Sequence, residues 1–132
     1  RLAVITGGEP AMYDLTALCD ALHEQGFTIN IETSGAYPIV GDIDWVTLSP
    51  KKFKPPVQEA LDKADELKVV VYHRSDFYWG KEHAKKVPAN CKLYLQPEWG
   101  KKDDITPLVI KYILEHPEWE ISLQTHKYIN IP

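Results

Sequence analysis

Sulfur is scarce in this sequence: its 132 residues include two cysteines, Cys19 and Cys91, and one methionine. The two thiols lie far apart and outside metal-ligand spacing, which excludes a disulfide framework or a cysteine cluster built from this stretch. Both read as small buried hydrophobes. Missing too is any apolar run near the roughly 20 residues that cross a bilayer, and the opening residues show no charged, then apolar, then small-residue leader. A cytoplasmic protein without membrane contact is expected. Basic side chains are outnumbered, 15 against 19 acidic, for a net charge of −4. A wide basic surface for gripping duplex phosphates is thereby excluded, and no nucleic-acid partner is expected. What is present, 44% hydrophobic and 26% charged residues, fits one globular domain over 1–132. The chain starts inside an apolar run, Arg1 to Ile5, without an initiator methionine, so a fragment of a longer protein is expected.

Apolar spacing then orders the elements. Leu2 to Ile5 reads as a buried strand that stops at a glycine-rich turn. Asp14 is placed to cap a helix carrying Leu15, Leu18, Cys19 and Leu22, with Gly26 as its terminator. From Phe27 the period is two, with Ile29 and Ile31 alternating with Asn30 and Glu32, giving a strand with one polar face. Asp44 to Leu48 is a third strand, and Pro55 and Pro56 open a helix with Val57, Ala60, Leu61 and Ala64. Leu67 to Tyr72 is a nearly continuous β-branched run, expected to be covered on both faces. Ser75 or Asp76 caps a helix to about Val87. A fifth strand from Cys91 ends at Gln96-Pro97-Glu98-Trp99, a helix starts at Thr106-Pro107, and Trp119, Ile121 and Leu123 form a sixth strand. The connection from Ile39 to Ile43 shows no helix. The expected fold is α/β, with a mostly parallel sheet of about six strands in a partial, open barrel.

In parallel sheets functional groups gather at the carboxyl ends of the strands. There lie Thr6-Gly7-Gly8-Glu9-Pro10, Glu32-Thr33-Ser34-Gly35, Ser49-Pro50-Lys51-Lys52, Gln96-Pro97-Glu98-Trp99 and Gln124-Thr125-His126-Lys127. Adjacent glycines let a ligand approach the main chain, and the Glu9 carboxylate can accept from an ammonium group. No Gly-Lys-Ser/Thr ending follows, so this is not a phosphate loop. The Ser49 and Lys51 stretch also reads as a solvated turn, and Glu66, Lys68 and Glu32 as a structural ion-pair network. His23, His73, His83 and His116 receive no role.

The Gly-Gly-Glu turn after a short apolar strand resembles that of radical S-adenosylmethionine enzymes. Together with Glu66-Leu67-Lys68-Val69-Val70, Leu95-Gln96-Pro97-Glu98 and Leu123-Gln124-Thr125-His126-Lys127, it resembles the 7-carboxy-7-deazaguanine synthase family over nearly the whole chain. The resemblance implies a C-terminal portion of a radical enzyme barrel. Its reaction converts 6-carboxy-5,6,7,8-tetrahydropterin to 7-carboxy-7-deazaguanine on the queuosine route, with S-adenosylmethionine, a [4Fe-4S] cluster and Mg2+ as cofactors and release of ammonia. It implies that Gly7, Gly8 and Glu9 hold the methionine end of the cofactor, with Thr33 and Ser34 as further hydroxyl partners. Ser49, Pro50 and Lys51 would line its ribose and carboxylate side, and Gln96, Pro97, Glu98 and Trp99 would flank adenine or ribose. Thr6, Gln124, His126 and Pro132 would face the pterin substrate, with the Ile129-Asn130-Ile131-Pro132 end packed inward. A reductant protein such as flavodoxin or ferredoxin is implied as partner.

The family's three cluster cysteines have no counterpart here, so this stretch alone is expected to show no turnover. An absent first strand would leave an open sheet edge, for which a homodimer is expected. Competing readings are a fragment of an activase that places a glycyl radical on a protein, and a non-catalytic metabolite-binding α/β module.

Overall fold

A computed structural model of the chain describes residues 1–131. In chain order the strands are β1 (Leu2–Ile5), β2 (Thr28–Thr33), β3 (Trp45–Leu48), β4 (Glu66–Val71), β5 (Lys92–Pro97) and β6 (Trp119–Ile121). The helices are α1 (Thr16–Glu24), α2 (Gln58–Asp62), α3 (Ser75–Ala84), α4 (Lys102–Glu115) and α5 (Thr125–Tyr128), with single 3-10 turns at Pro10–Met12 and Trp99–Lys101. The six strands form one parallel sheet in sequential order, β1 at one edge and β6 at the other. The α/β class, the strand count and the open sheet are as expected. Among the described residues no helix is long and apolar enough to cross a membrane. The chain divides into two compact units, Arg1–Leu67 with Lys86–Cys91, and Lys68–Lys85 with the residues from Lys92 onward.

In the first unit the Asp14 carboxylate accepts the Thr16 N–H at 2.9 Å, and Gly26, in the left-handed region at φ +75°, closes α1. Strand register sets Ile31 beside Val46, and Thr33 beside Leu48, which in turn neighbours Leu67. Those side chains, with Ile29 and Cys19, are buried and form the apolar face. Glu32, Thr47 and Glu66 make one row on the opposite face, and the Thr47 hydroxyl donates to Asn30 at 3.4 Å. Helix α2 is shorter than the prolines promised. The Asp65 N–H bonds the Val46 carbonyl while its carboxylate accepts the Val46 N–H, which commits the chain to β4 directly after Ala64.

In the second unit Val69 and Val71 are buried but Lys68 and Val70 keep partial exposure. The expectation that β4 is covered on both faces is therefore corrected: it alternates, with Glu66, Lys68 and Val70 on the partly exposed face and Leu67, Val69 and Val71 on the buried one. Asp76, 1% exposed, accepts the N–H groups of Tyr72 and His73 at 2.7 and 2.8 Å and fixes the turn into α3. That helix stops at Ala84, short of Val87, and Gly80 packs on Val69, where an added Cβ would stand 3.3 Å from Cγ1. Helix α4 starts at Lys102, not at Thr106-Pro107 as expected; Asp103 and Asp104 occupy its first turn and Pro107 lies inside it.

Candidate functional site

Directly after β1 the chain passes through Gly7 and Gly8, at φ +86° and +54°. A Cβ on either would meet no heavy atom within 4 Å, so the turn faces open space and glycine is required by conformation rather than crowding. Glu9 then caps the Pro10–Met12 turn, accepting the Ala11 N–H at 3.1 Å on Oε1, with proline at the first turn position. The same oxygen accepts the Thr33 hydroxyl; Oε2 accepts both the Ser34 hydroxyl and, at 2.9 Å, the Ser34 N–H. Each hydroxyl is itself aimed: Thr33 Oγ1 accepts the Gly35 N–H at 3.0 Å and Ser34 Oγ the Ala36 N–H at 3.4 Å. Partial burial pushes the Glu9 carboxyl up, but these donors outweigh it and hold the group below the usual carboxylate range.

Ser49 joins the same end of the first unit, its N–H reaching the Thr33 carbonyl at 2.8 Å and so prolonging the β2–β3 ladder. Lys51 Nζ donates to Ser49 Oγ at 3.1 Å, and Pro50, between them in sequence, is buried. The structure thus brings Glu9, Thr33, Ser34, Ser49 and Lys51 into one hydrogen-bonded chain. The hydroxyl protons of Thr33 and Ser34 point at Glu9, and Thr6, beside the glycines, is exposed.

The second unit has its own polar end. The Glu98 N–H bonds the Val71 carbonyl at 2.9 Å, and the Ser122 hydroxyl reaches Gln96 Oε1 at 3.5 Å. Pro97 is buried, while Glu98 and Trp99 are half-buried. Trp99 meets the Tyr128 ring edge-to-face at 5.0 Å, and the ammonium groups of Lys102 and Lys127 stand 5.1 and 5.4 Å from its centroid. Sequence reasoning missed this aromatic and cationic patch; its only signal was lysine recurring beside Trp99 and Tyr128. Gln124 precedes α5, a helix not expected from the sequence, and His126 lies exposed on it. The inward-packed chain end is corrected: Ile129 and Ile131 are 60% and 54% exposed, because the Ile131 N–H turns back to the His126 carbonyl at 3.0 Å and folds this stretch onto α5. Pro132 lies outside the described residues.

The open glycine turn leaves main chain that a small ligand would fit, since no heavy atom lies within 4 Å of a Cβ placed at either glycine. An iron–sulfur cluster finds no such fit. Among the described residues no group of three or more His, Cys, Asp or Glu is gathered for a metal, and both cysteines are buried.

Curated proteins named 7-carboxy-7-deazaguanine synthase match along the whole chain. That of Flavobacterium psychrophilum is 51% identical over 132 residues, 100% of this chain and 63% of the relative. That of Synechocystis is 47% identical, covering 97% and 61%, and that of Prochlorococcus marinus 38%, covering 98% and 68%. The chain thus spans about three fifths of the first two relatives. A crystal structure of QueE from Escherichia coli superposes with a TM-score of 0.84 at 35% identity, covering 94% of this chain and 57% of that one. No family model matches the chain.

Proposed function

The chain belongs to the 7-carboxy-7-deazaguanine synthase family, and from that membership we propose that the full-length protein carrying it converts 6-carboxy-5,6,7,8-tetrahydropterin to 7-carboxy-7-deazaguanine. S-adenosylmethionine and a [4Fe-4S] cluster would supply the radical chemistry in that protein; among the described residues no group of cysteines is gathered to hold the cluster. The open Gly7-Gly8 turn carries the proposal. It is bare of side chains, follows a strand, and runs directly into a carboxylate held by four donors, which suits a ligand that needs main-chain approach.

This chain's own part is orientation. Gly7, Gly8 and Glu9 receive the methionyl end of the cofactor, and the Lys51 ammonium, steadied on Ser49, offers a point charge to its carboxylate. Pro97 and Trp99 provide apolar surface for adenine, with Gln96 and Glu98 as hydrogen-bonding neighbours. Thr6, Gln124 and His126 read the pterin edge. Mg2+, a reductant protein such as flavodoxin or ferredoxin, a homodimer and a cytoplasmic location complete the proposal.

The test is an anaerobic assay of the reconstituted full-length protein with S-adenosylmethionine, reductant and the carboxytetrahydropterin. Formation of 7-carboxy-7-deazaguanine is expected, and its loss on replacing Gly8 by Val. Cofactor cleavage without any change in the pterin would overturn the assignment of substrate, and an unaltered pterin with intact cofactor would overturn the assignment of chemistry.

A further inference from the structure

We propose that Thr33 and Ser34 are positioning residues of the amine-binding turn: their hydroxyls act on the Gly7-Gly8 main chain through Glu9 and do not touch the cofactor. The inference rests on the functional reading above and deepens it. Both hydroxyl protons are donated to Glu9, one to each carboxylate oxygen, while the hydroxyl oxygens accept main-chain N–H groups of Gly35 and Ala36. Neither hydroxyl has a proton left for a ligand. Glu9 is adjacent to two left-handed glycines, which have no side chains of their own to fix their orientation. Ala11 and Ser34 N–H groups complete a set of four donors on the carboxylate. Locking Glu9 from β2, which pairs with β1 along Leu2 to Ile5, therefore freezes the peptide groups just ahead of it and preorganises the turn. The donors also keep the carboxylate ionised, next to the place where an ammonium group arrives.

The experiment uses the full-length protein with its cluster reconstituted. Equilibrium dialysis compares S-adenosylmethionine with 5′-methylthioadenosine, which lacks the amino-acid end. Thr33→Val, which keeps the shape of the side chain, and Ser34→Ala are each expected to weaken S-adenosylmethionine about tenfold, as for loss of one hydrogen bond to a charged group. Methylthioadenosine affinity stays within about twofold. Thr33→Ser and Ser34→Thr retain the hydroxyl and restore binding. In a Glu9→Gln background neither change weakens binding further. Carboxyl NMR of Glu9 in Ser34→Ala shows its titration moving up toward the ordinary range. Equal weakening of both ligands, or undiminished losses in the Glu9→Gln background, would overturn the role. Failure of the unaltered protein to bind S-adenosylmethionine would overturn the functional reading and this role with it.

Discussion

His23 shows how a residue with no assigned role acquires one from its surroundings. Its Nε2 lies 2.9 Å from Asp44 Oδ2 and its Nδ1 3.8 Å from Asp42, while the same Asp44 oxygen accepts the Ile29 N–H at 2.7 Å. The hydrogen bond to Asp44 raises the imidazole pKa, partial desolvation opposes it, and the charges of Asp44, Asp42 and Asp20 add to the rise. Asp44 is lowered, first by His23 and then by the Ile29 N–H. The two signs define a window. A raised histidine contributes stability that is complete below its unfolded pKa and fades as pH climbs through the folded one. A lowered carboxylate contributes above its unfolded pKa, and that contribution fades as pH falls through the folded one. The urea midpoint of the natural chain should therefore exceed that of His23→Gln most in mildly acidic solution, with the gap closing in strong acid and in alkali. Salt should narrow the gap, since the pair is exposed. A gap independent of pH would show that the imidazole contributes packing alone.

Among the connecting segments, the β2–β3 link depends on one backbone conformation. Gly35 sits at φ +72°, and a Cβ there would overlap Leu48 Cδ1 and stand 3.0 Å from Pro56. Gly35→Ala adds both a left-handed penalty and an overpacked methyl, so a loss of about 2–4 kcal/mol in urea unfolding is expected. A loss under about 0.5 kcal/mol would mean that this loop rearranges freely. The break at Gly35 was legible in the sequence as the end of a period-two run; of the six strands, β2 and β5 were legible from apolar alternation and β1 and β4 from continuous apolar runs, which placed the strands but not their buried faces. Helix limits were not legible. Pro107 reads as a first-turn proline, yet α4 begins earlier, where Asp103 and Asp104 complement its N-terminus and the Trp99–Lys101 turn leads into it. Helix α5 was missed because Thr125–Tyr128 is one turn, too short to display a period.

Over the whole molecule, the site was legible to the extent that chain order implies strand ends. Glu9 and Thr33 are 24 residues apart, and a parallel crossover alone sets their strands side by side. What spacing could not disclose was the direction of the hydroxyls, which local turn geometry decides, or the clustering of lysines on Trp99, which needs a helix the pattern hid. The thiols were legible as core residues, and their chemistry follows from that. Cys19 and Cys91 are 0% and 8% exposed. Burial, followed by the nearby carboxylates Asp20 and Asp42, pushes Cys19 up; burial and then Asp65 push Cys91 to about 11. At pH 8 a thiol with that pKa is ionised in roughly one molecule per thousand, and the thiolate is the species that both attacks electrophiles and ligates iron. The folded chain should accordingly resist iodoacetamide at pH 8, with two thiols per chain reacting together once urea unfolds it. Incubation with iron and sulfide should leave it without a four-iron cluster, which draws three or four thiolates from its protein, more than the two buried here. Rapid native alkylation of Cys91 would mean that the Lys86–Cys91 stretch of the first unit opens far more often than its packing allows.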